Sequence, residues 1–528
     1  PLQETQLETP RHKVLWADDE IDLLRSHHMY LNERGYEVTP VTNGEDALEM
    51  FAKERFDLVL LDEMMPGLDG LSTLEQLKHR DPNVPVIMIT KNEEEHLMDE
   101  AIGRRIDDYL TKPVNPSQIF MACKKILDAR QIRQSQAGQT YVTRAQQIRE
   151  WLSGEITWRT WIDVHRMLCE WDIEVSRIGD GSLQQMIEDQ RRECNHEFAR
   201  FVETNYPGWV KDENDSPPLS VDVVPEALAP QLETGVQTFF VVIDCLRLDH
   251  WMILEPKISE FFNVKRDYHY SVLPTATPYS RNALFSGLFP LEIAAKYREL
   301  WSPAVGKDDE TSLNRHEHQF LDDQIKDMGI DLKGESRYVK VIDPEEGRSL
   351  ARKADSMAEI PLVAVVYNFL DMLVHGRSHS ALLKEIAPDE RGFRSLVLSW
   401  FENSSLFELL KKLARSGSRV VITTDHGAVR ARQATLVHGD RQTSTSLRYK
   451  HGRNLRCEEK DALRIDDPEK YGLPPSGLGA NYIIAREDYF FVYPTKFNEY
   501  SRQYRDSFQH GGISLEEMIL PVATLIPR

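Results

Sequence analysis

Cysteine is scarce in this chain of 528 residues, and long apolar runs are missing. The five cysteines are scattered and never form a CxxC pair, so the sequence indicates neither a disulfide framework nor a thiolate zinc site. The longest apolar runs, such as 238–243 and 362–366, have the length of a strand and fall well short of the ~20 residues that cross a bilayer. The first ten residues lack the basic start and apolar core of a signal peptide. We therefore expect a cytoplasmic protein without a membrane span.

Basic residues are also fewer than acidic residues. The 64 lysines and arginines face 85 aspartates and glutamates, which gives a formal net charge of -21. A surface of this sign repels a phosphate backbone, so we expect no direct binding to duplex DNA. A DNA-binding transcription factor would need a helix-turn-helix with a basic recognition face, and the helical stretch 151–212 is mixed in charge.

The pattern of apolar residues divides the chain into parts. Short apolar runs alternate with amphipathic stretches near both ends of the chain, which predicts parallel sheets covered by helices. Between them the apolar residues recur at helical spacing, and a stretch rich in proline, aspartate and serine follows. We predict a doubly wound domain over 11–130, a helical bundle over 131–212, a linker over 213–236, and a larger doubly wound domain over 237–528 with insertions near 296–357 and 428–481.

Four buried strands are predicted in the larger domain, over 239–243, 362–367, 420–424 and 518–526. The two polar, poorly periodic stretches are expected to lie over the carboxyl edge of this sheet. Open α/β sheets place their binding sites at that edge.

Polar side chains follow successive predicted strands of the first domain. Asp18 and Asp19 follow the first strand, Asp62 ends the third, Thr90 ends the fourth, and Lys112 follows the fifth. The carboxyl ends of parallel strands share one edge of a sheet, so these side chains should converge. Crowded carboxylates repel each other unless a cation neutralises them, and Mg²⁺ prefers hard oxygen ligands. The sequence therefore predicts a magnesium site there.

The segments VLWADDE, LVLLDEMMPGLDG, VIMIT and YLTKP resemble the receiver domain of two-component response regulators over about 120 residues. The resemblance implies a flavodoxin-like fold, a sensor histidine kinase as phosphoryl donor and a Lys112–Pro113 bond that is a candidate cis peptide. It also implies the following roles: phosphoacceptor Asp62, acidic pocket Asp18 and Asp19, backbone metal ligand Met64, switch residues Thr90 and Tyr109, and active-site lysine Lys112.

A second set of chemically active residues follows the predicted strands of the larger domain. Asp244 ends VVID, Asp371 and His375 form a DxxxH pair on one helix face, and Asp425 and His426 end VVITTDH. Oxygen and nitrogen ligands without cysteine suit two divalent ions, Zn²⁺ in the first place with Mn²⁺ as a competitor. The full set of predicted ligands is Asp244, Thr277, Asp371, His375, Asp425, His426 and His510.

Thr277 is the predicted nucleophile. It precedes Pro278 and an amphipathic run, which predicts an N-cap with proline at the first helical position. Its hydroxyl would lie at the positive end of a helix, where free N–H groups favour a phosphate, and metal coordination would lower the pKa of that hydroxyl.

These motifs resemble the alkaline phosphatase superfamily, particularly PglZ-type domains and the nucleotide pyrophosphatase/phosphodiesterases. The resemblance implies that Asp244, Thr277, Asp425 and His426 surround one zinc, and that Asp371, His375 and His510 surround the other. Arg281 or Asn282, one helical turn after the nucleophile, would contact the substrate phosphate. The TATP motif is closer to the phosphodiesterase branch, which favours nucleotides or short oligonucleotides as small phosphoester substrates.

The predicted fold class is α/β multidomain: a flavodoxin-like receiver, a helical bundle linker and a doubly wound alkaline-phosphatase-like α/β/α domain. This order resembles the response regulators associated with type IX secretion. The resemblance implies control of a secretion pathway, with an extracytoplasmic-function sigma factor or a cytoplasmic secretion component as partner. We expect that phosphorylation of Asp62 shifts Thr90 and Tyr109, changes the face that pairs receivers and promotes a homodimer. The alternative function is a noncatalytic, zinc-stabilised interaction scaffold controlled by phosphorylation.

Overall fold

The computed structural model describes residues 12–81, 83–91, 106–213, 215–301, 314–439, 446–475, 477 and 479–528. Residues 302–313 and 440–445 of the two predicted insertions lie outside these ranges. The chain forms two compact units, which are Pro1–Arg144 with Glu174–Gln184, and Ala145–Ile173 with Gln185–Arg528. Among the described residues, no helix is both long and apolar enough to cross a membrane.

The first unit contains a five-stranded parallel sheet in the order β2-β1-β3-β4-β5, which is the flavodoxin-like order predicted from the sequence. Strands β3 and β4 are buried along their whole length because helices cover both faces of the sheet. The elements are β1 (His12–Ala17), α1 (Arg25–Asn32), β2 (Tyr36–Val41), α2 (Gly44–Lys53), β3 (Leu58–Asp62), α3 (Gly70–Arg80), β4 (Val86–Thr90) and β5 (Asp108–Thr111).

Helices were predicted for the middle of the chain, and three are present: α4 (Pro116–Leu152), α5 (Trp158–Ile178) and α6 (Gly181–Trp209). Helix α4 runs across the predicted boundary between 130 and 131, because residues 117–137 contain neither proline nor glycine to end it. The predicted linker over 213–236 also contains a helix at Ala229–Leu232. Within the second unit, Trp161 of α5 packs edge-on against Phe198 of α6, with ring centroids 5.3 Å apart. Phe198 and Trp209 both contact Tyr270 at centroid distances of 6.1 and 5.5 Å. Since Tyr270 belongs to an edge strand of the large sheet, the helical segment packs directly on the C-terminal domain.

The C-terminal domain begins with α7 (Ala229–Leu232), β6 (Thr238–Ile243), α8 (Leu248–Ile258), β7 (Phe262–Tyr270), α9 (Thr277–Ser286) and α10 (Pro290–Lys296). It continues with α11 (Glu317–Asp327), β8 (Arg337–Val341), α12 (Pro344–Lys353), β9 (Leu362–Tyr367), α13 (Phe369–His379), α14 (Ala381–Ile386), α15 (Glu390–Glu402), α16 (Ser405–Ser416) and β10 (Arg419–Thr423). The last part contains β11 (Val429–Ala431), β12 (Gln433–Leu436), β13 (Tyr449–Arg453), β14 (Ala462–Ile465), β15 (Ala480–Ala485), β16 (Tyr489–Val492), α17 (Phe497–Tyr504), β17 (Ser507–Gln509), α18 (Leu515–Met518) and β18 (Ile519–Pro527).

The large sheet has six strands in the order β7-β18-β10-β6-β9-β8. Strands β10, β6, β9 and β8 are parallel, whereas β18 runs antiparallel to both β10 and β7. The four predicted strands correspond to β6, β9, β10 and β18, and β6 and β9 are fully buried. The two edge strands β7 and β8 were not predicted from the sequence.

The stretch predicted as the first insertion contributes to the central sheet. Its strand β8 pairs in parallel with β9, and its helix α11 packs against α9. Helices α9 and α11 approach each other closely at Gly287, which directly follows α9 and has a left-handed φ of 65°. A Cβ at this position would lie 2.3 Å from Gln324 Nε2. The described part of the second stretch forms small sheets, of which β13-β15-β14 is the largest.

Candidate phosphoacceptor and metal sites

The receiver pocket lies at the carboxyl edge of the five-stranded sheet. Asp18 follows β1 and Asp62 ends β3, and both are buried. Lys112 follows β5, and its Nζ lies 2.9 Å from Asp62 Oδ2 and 3.0 Å from Asp18 Oδ2. The ligand atoms of Asp18, Asp19 and Asp62 lie within 4.8 Å of one another, which is close enough to share one cation. Burial raises the pKa of Asp62 above its usual value, the contact with Lys112 lowers it and Asp18 raises it.

The remaining receiver residues occupy positions consistent with their predicted roles. Thr90 ends β4 and is buried, and its carbonyl accepts a hydrogen bond from the Lys112 amide at 2.7 Å. Tyr109 on β5 is 46% exposed, so its ring has room to change position. The Met64 side chain is exposed, and its exposure is compatible with the predicted role because the predicted metal ligand is the backbone. The Lys112–Pro113 peptide is cis, as predicted.

The second site lies at the carboxyl edge of the large sheet, where the parallel strands β6, β9 and β10 end. Asp244 directly follows β6, Asp371 and His375 lie on α13 just after β9, and Asp425 and His426 follow β10. His510 follows β17, and Thr277 is the first residue of α9. The structure therefore brings all seven predicted side chains to one edge of the sheet, because successive parallel strands deliver their carboxyl ends there.

One group of ligand atoms surrounds His426. Its Nε2 lies 3.6 Å from Asp244 Oδ1 and 3.7 Å from Asp425 Oδ2, and all three side chains are buried. The Thr277 hydroxyl lies 3.0 Å from the same Nε2. Asp244 Oδ1 is buried and has no hydrogen-bond partner among the described residues. An unpartnered carboxylate oxygen beside an imidazole nitrogen and a second carboxylate is a suitable donor set, so the group fits a divalent metal.

A second group adjoins the first. Asp371 Oδ1 lies 3.3 Å from His375 Nε2 and 3.4 Å from His510 Nε2, and the two histidine nitrogens are 3.1 Å apart. The rings of His510 and His426 stack at a centroid distance of 4.2 Å, which joins the two groups. The His375 side chain is 44% exposed, so the site opens to solvent on this side.

Burial and mutual contacts shift the pKa values of these groups in opposite directions. Burial raises the pKa of Asp244 well above its usual value, although Arg281 opposes the shift. Burial also acts to raise the pKa of Asp371, but His375, His510 and His426 outweigh it and hold that pKa below its usual range. Burial, assisted by His426, lowers the pKa of His510, which favours the neutral imidazole that can bind a metal.

Thr277 differs slightly from its predicted place. Helix α9 begins at Thr277 itself, Ala276 occupies the cap position, and no side chain caps the helix. The predicted N-cap role is therefore wrong by one residue. The physical reason is that the Thr277 hydroxyl contacts His426 instead of the amides of its own helix.

Arg281 and Asn282, the two predicted phosphate contacts, are both fully buried. Arg281 makes ion pairs with Asp244 and Asp425, with Nε 3.0 Å from Asp425 Oδ2. The Asn282 amide donates to the Pro278 carbonyl at 2.8 Å. Both side chains thus bind other groups of the protein in its interior.

A buried glutamate that was not predicted from the sequence links the ligand-bearing loops. Glu517 Oε1 accepts a hydrogen bond from the Gly512 amide at 2.8 Å, and the Glu517 carbonyl accepts one from the Gly427 amide at 3.2 Å. These amides belong to the loops that carry His510 and His426. The spacing of Ser514 and Glu517 is that of a capping box, a signal that could have drawn attention to this residue.

A series of buried ion pairs connects helix α5 with the loop that carries His426. Asp172 on α5 accepts hydrogen bonds from Arg191 and Arg394, each at 2.9 Å. Arg394 also contacts Asp249 at 3.2 Å, and Asp249 is paired with Arg247. Arg247 then donates to the carbonyl of residue 428, two positions after His426.

Comparison with known families gives three matches along the chain. Residues 14–124 match the response regulator receiver domain, residues 131–210 match the PorX response regulator linker domain, and residues 223–525 match the BREX system PglZ alkaline phosphatase-like domain.

Curated relatives match the receiver region. The chain is 36% identical over 117 residues to the alkaline phosphatase synthesis transcriptional regulatory protein PhoP of Bacillus subtilis, and 33% identical over 120 residues to the transcriptional regulatory protein ResD of the same organism. The alignments cover 22% and 23% of this chain and 48% and 50% of those proteins, so the chain spans about half the length of the curated relatives it matches. Among solved structures, the response regulator TrrA from Thermotoga maritima is 29% identical over 22% of this chain and 99% of that chain, with a TM-score of 0.21.

The family matches, together with the receiver pocket, define a response regulator whose output domain is alkaline phosphatase-like. The match to the output domain, 223–525, covers more than half of the chain. The chain belongs to the family with a PglZ alkaline phosphatase-like domain, and its order of receiver, linker and PglZ domain is that of the PorX-type response regulators. The predicted architecture and fold class are thereby confirmed.

Proposed function

We propose that the C-terminal domain hydrolyses phosphoesters, with Thr277 as the nucleophile and two divalent cations at the edge of the large sheet. The observation that carries this proposal is the 3.0 Å contact between Thr277 Oγ1 and His426 Nε2. It joins a hydroxyl at a helix N-terminus to a group of ligand atoms formed by Asp244, Asp425 and His426. The PglZ alkaline phosphatase-like match supports a phosphoesterase.

The donor atoms favour zinc, with manganese as the competitor, since they are carboxylate oxygens and imidazole nitrogens without sulfur. When bound, the two ions would lower the pKa of the threonine hydroxyl and neutralise charge on the substrate phosphate. Asp244, Thr277, Asp425 and His426 would hold one ion, and Asp371, His375 and His510 would hold the other. In the receiver, Asp18, Asp19, Asp62 and the backbone of Met64 would hold Mg²⁺.

In the proposed reaction, Thr277 Oγ1 forms a bond to phosphorus and the bond to the leaving oxygen breaks. The proton released by the threonine hydroxyl ends on the leaving alcohol. Water then cleaves the bond between phosphorus and Thr277 Oγ1, which releases a phosphate monoester from a diester substrate and restores the free hydroxyl. The phosphate would lie at the N-terminus of α9, where the helix dipole favours a negative charge. Water and products exchange through the side of the site where His375 is 44% exposed.

The proposed substrates are phosphodiesters, such as nucleotides or short oligonucleotides, because the TATP motif around Thr277 resembles the phosphodiesterase branch of the superfamily. The test compares turnover of bis(4-nitrophenyl) phosphate and 4-nitrophenyl phosphate by the zinc-loaded wild type, Thr277→Ser and Thr277→Val. We expect the diester to be preferred, reduced turnover in Thr277→Ser and none in Thr277→Val. Equal turnover by wild type and Thr277→Val would remove Thr277 as the nucleophile.

The noncatalytic scaffold makes a different prediction for the same samples. Both functions require bound zinc, so metal analysis alone does not separate them. Zinc at two equivalents with no turnover of any phosphoester would favour a scaffold that binds a sigma factor or a secretion component. Turnover that depends on Thr277 would favour the enzyme.

We further propose that a sensor histidine kinase phosphorylates Asp62, and that Thr90 and Tyr109 then move and change the face that pairs two receivers. The resulting homodimer would alter the output domain and so regulate a secretion system. The exposed ring of Tyr109 supports this route. Light scattering with and without beryllofluoride tests it, and an unchanged mass would contradict the dimer.

A further inference from the structure

Arg281 is a fully buried cation beside the proposed metal ligands. It lies one turn after Thr277 on α9. Its guanidinium contacts three carboxylates: Asp244 through Nη2, Asp425 through Nε at 3.0 Å, and Glu317 through Nη1 at 3.6 Å. Each of its three nitrogens therefore lies within ion-pair distance of a different carboxylate, and two of these carboxylates are proposed zinc ligands.

Glu317 is itself held firmly. It is the first residue of α11 and is buried. It accepts hydrogen bonds from the Tyr338 hydroxyl and, at 3.0 Å, from the Asn314 amide, and Lys340 Nζ lies 3.6 Å away. The Asn314 amide also donates to the Thr277 carbonyl at 3.2 Å. The part of the chain that carries Glu317 therefore supports both the nucleophile and Arg281.

A phosphate group could reach Arg281 only if the side chain left these partners, since no part of the residue is exposed. A guanidinium offers its N–H groups in a rigid planar fork, and here the fork spans Asp244 and Asp425. We propose that Arg281 is a positioning residue of the metal site: it fixes the carboxylates of Asp244 and Asp425, and Glu317 fixes Arg281. The inference rests on the proposed metal-dependent function and names a residue through which that site is assembled.

Groups that orient metal ligands contribute strongly to metal binding, and their loss typically costs about 10- to 100-fold in affinity. Removing the positive charge of Arg281 by itself favours a bound cation, whereas removing the planar fork that holds Asp244 and Asp425 disfavours it. Because Arg281 contacts both carboxylates, the loss of positioning should outweigh the loss of charge and weaken zinc at the position of Asp244, Asp425 and His426. The position formed by Asp371, His375 and His510 should bind zinc as before, because Arg281 has no ion pair with those residues among the described contacts.

The test measures zinc binding by the full-length protein in competition with a chromogenic chelator. The variants are Arg281→Gln, Arg281→Lys and Glu317→Gln. Arg394→Gln is the matched control, because Arg394 is a buried arginine that pairs with Asp172 and Asp249, neither of which is a proposed ligand. We expect one of two zinc sites to weaken about 10- to 100-fold in Arg281→Gln. Smaller losses at the same site are expected in Arg281→Lys, whose ammonium lacks the planar fork, and in Glu317→Gln. The control should lose thermal stability and keep both zinc affinities.

Unchanged zinc affinities in Arg281→Gln or Arg281→Lys, together with a raised KM for bis(4-nitrophenyl) phosphate, would overturn the inference and make Arg281 a substrate contact. If Arg281→Gln does not fold, the test uses Arg281→Lys and Glu317→Gln instead. Normal zinc binding by both of these variants would overturn the inference. Two bound zinc ions without turnover in the wild type would refute the proposed function alone. A wild type that binds no zinc would refute both.

Discussion

Gly427 lies directly after His426, and its replacement by alanine should disrupt the proposed metal site. A Cβ at this position would lie 1.9 Å from the Glu516 carbonyl oxygen and 3.3 Å from Arg247 Cγ. The obstacle is backbone, not the end of a flexible side chain. It belongs to α18, whose first amide donates to Asn195 Oδ1 at 2.7 Å. Because α18 is anchored in this way, the loop that carries His426 must move.

The size of the movement follows from the contact. Real Cβ atoms essentially never approach within 3.0 Å of another heavy atom, so the separation of 1.9 Å must grow by about 1.1 Å. A displacement of about 1 Å at a catalytic group can cost roughly 100-fold in rate. We therefore expect kcat/KM for bis(4-nitrophenyl) phosphate to fall by about two orders of magnitude in Gly427→Ala. One of the two zinc sites should also weaken.

Gly208→Ala is the matched control, because a Cβ there would meet its nearest neighbour, the Glu213 carbonyl oxygen, at an ordinary 3.9 Å. Its activity and zinc affinity should equal those of the wild type. A kcat/KM of Gly427→Ala within about threefold of the wild type, together with normal binding of both zinc ions, would show that the loop carrying His426 tolerates a Cβ at this position.

Three further predictions concern stability and the receiver. Asp172→Asn should lower the free energy of unfolding in urea by about 3 kcal/mol, because it removes the buried charge that faces Arg394; a loss below about 1 kcal/mol would contradict this. Burial lowers the pKa of Lys450 to about 8, so the folded chain holds this proton less tightly than the unfolded chain, whose lysine pKa is 10.5. Wild-type stability should therefore rise by about 3 kcal/mol between pH 8 and 10.5 relative to Lys450→Met, and parallel pH profiles would exclude the buried lysine as the cause. Lys112→Met should bind Mg²⁺ about fivefold more tightly in titration calorimetry, because it removes a positive charge next to Asp62 that repels the ion by about 1 kcal/mol. Weaker binding would show that Lys112 supports the ion.

The fold class could be predicted because it depends on local patterns. Fully buried parallel strands such as β6 and β9 are continuous apolar runs, and the alternation with helices defines a doubly wound sheet. The convergence of Asp244, Asp371 and Asp425 also followed from topology, since each carboxylate stands just after a parallel strand.

The edge strands could not be predicted in the same way. Strand β7 alternates between exposed and half-buried residues over 263–268 and carries charged side chains such as Lys265 and Asp267, so its apolar content is low. Strand β8 contains only five residues and lies within a polar stretch. Both are recognised only when the strands beside them are in place.

The partners of Arg281 could not be predicted from the sequence either. Its position one turn after Thr277 was visible, but Glu317 lies 36 residues further along the chain and meets it only through the packing of α11 on α9. Long-range ion pairs depend on such packing and leave no periodic signal. The same holds for the contact of Asp172 with Arg394, which joins the helical segment to the C-terminal domain.

A crystal structure of the zinc-loaded protein, with anomalous data collected on both sides of the zinc absorption edge, would show whether two zinc ions bind beside Thr277. We expect two zinc peaks about 4 Å apart, one among Asp244, Thr277, Asp425 and His426, and the other among Asp371, His375 and His510. Absence of zinc from both groups, or a Thr277 hydroxyl remote from every zinc peak, would contradict this expectation.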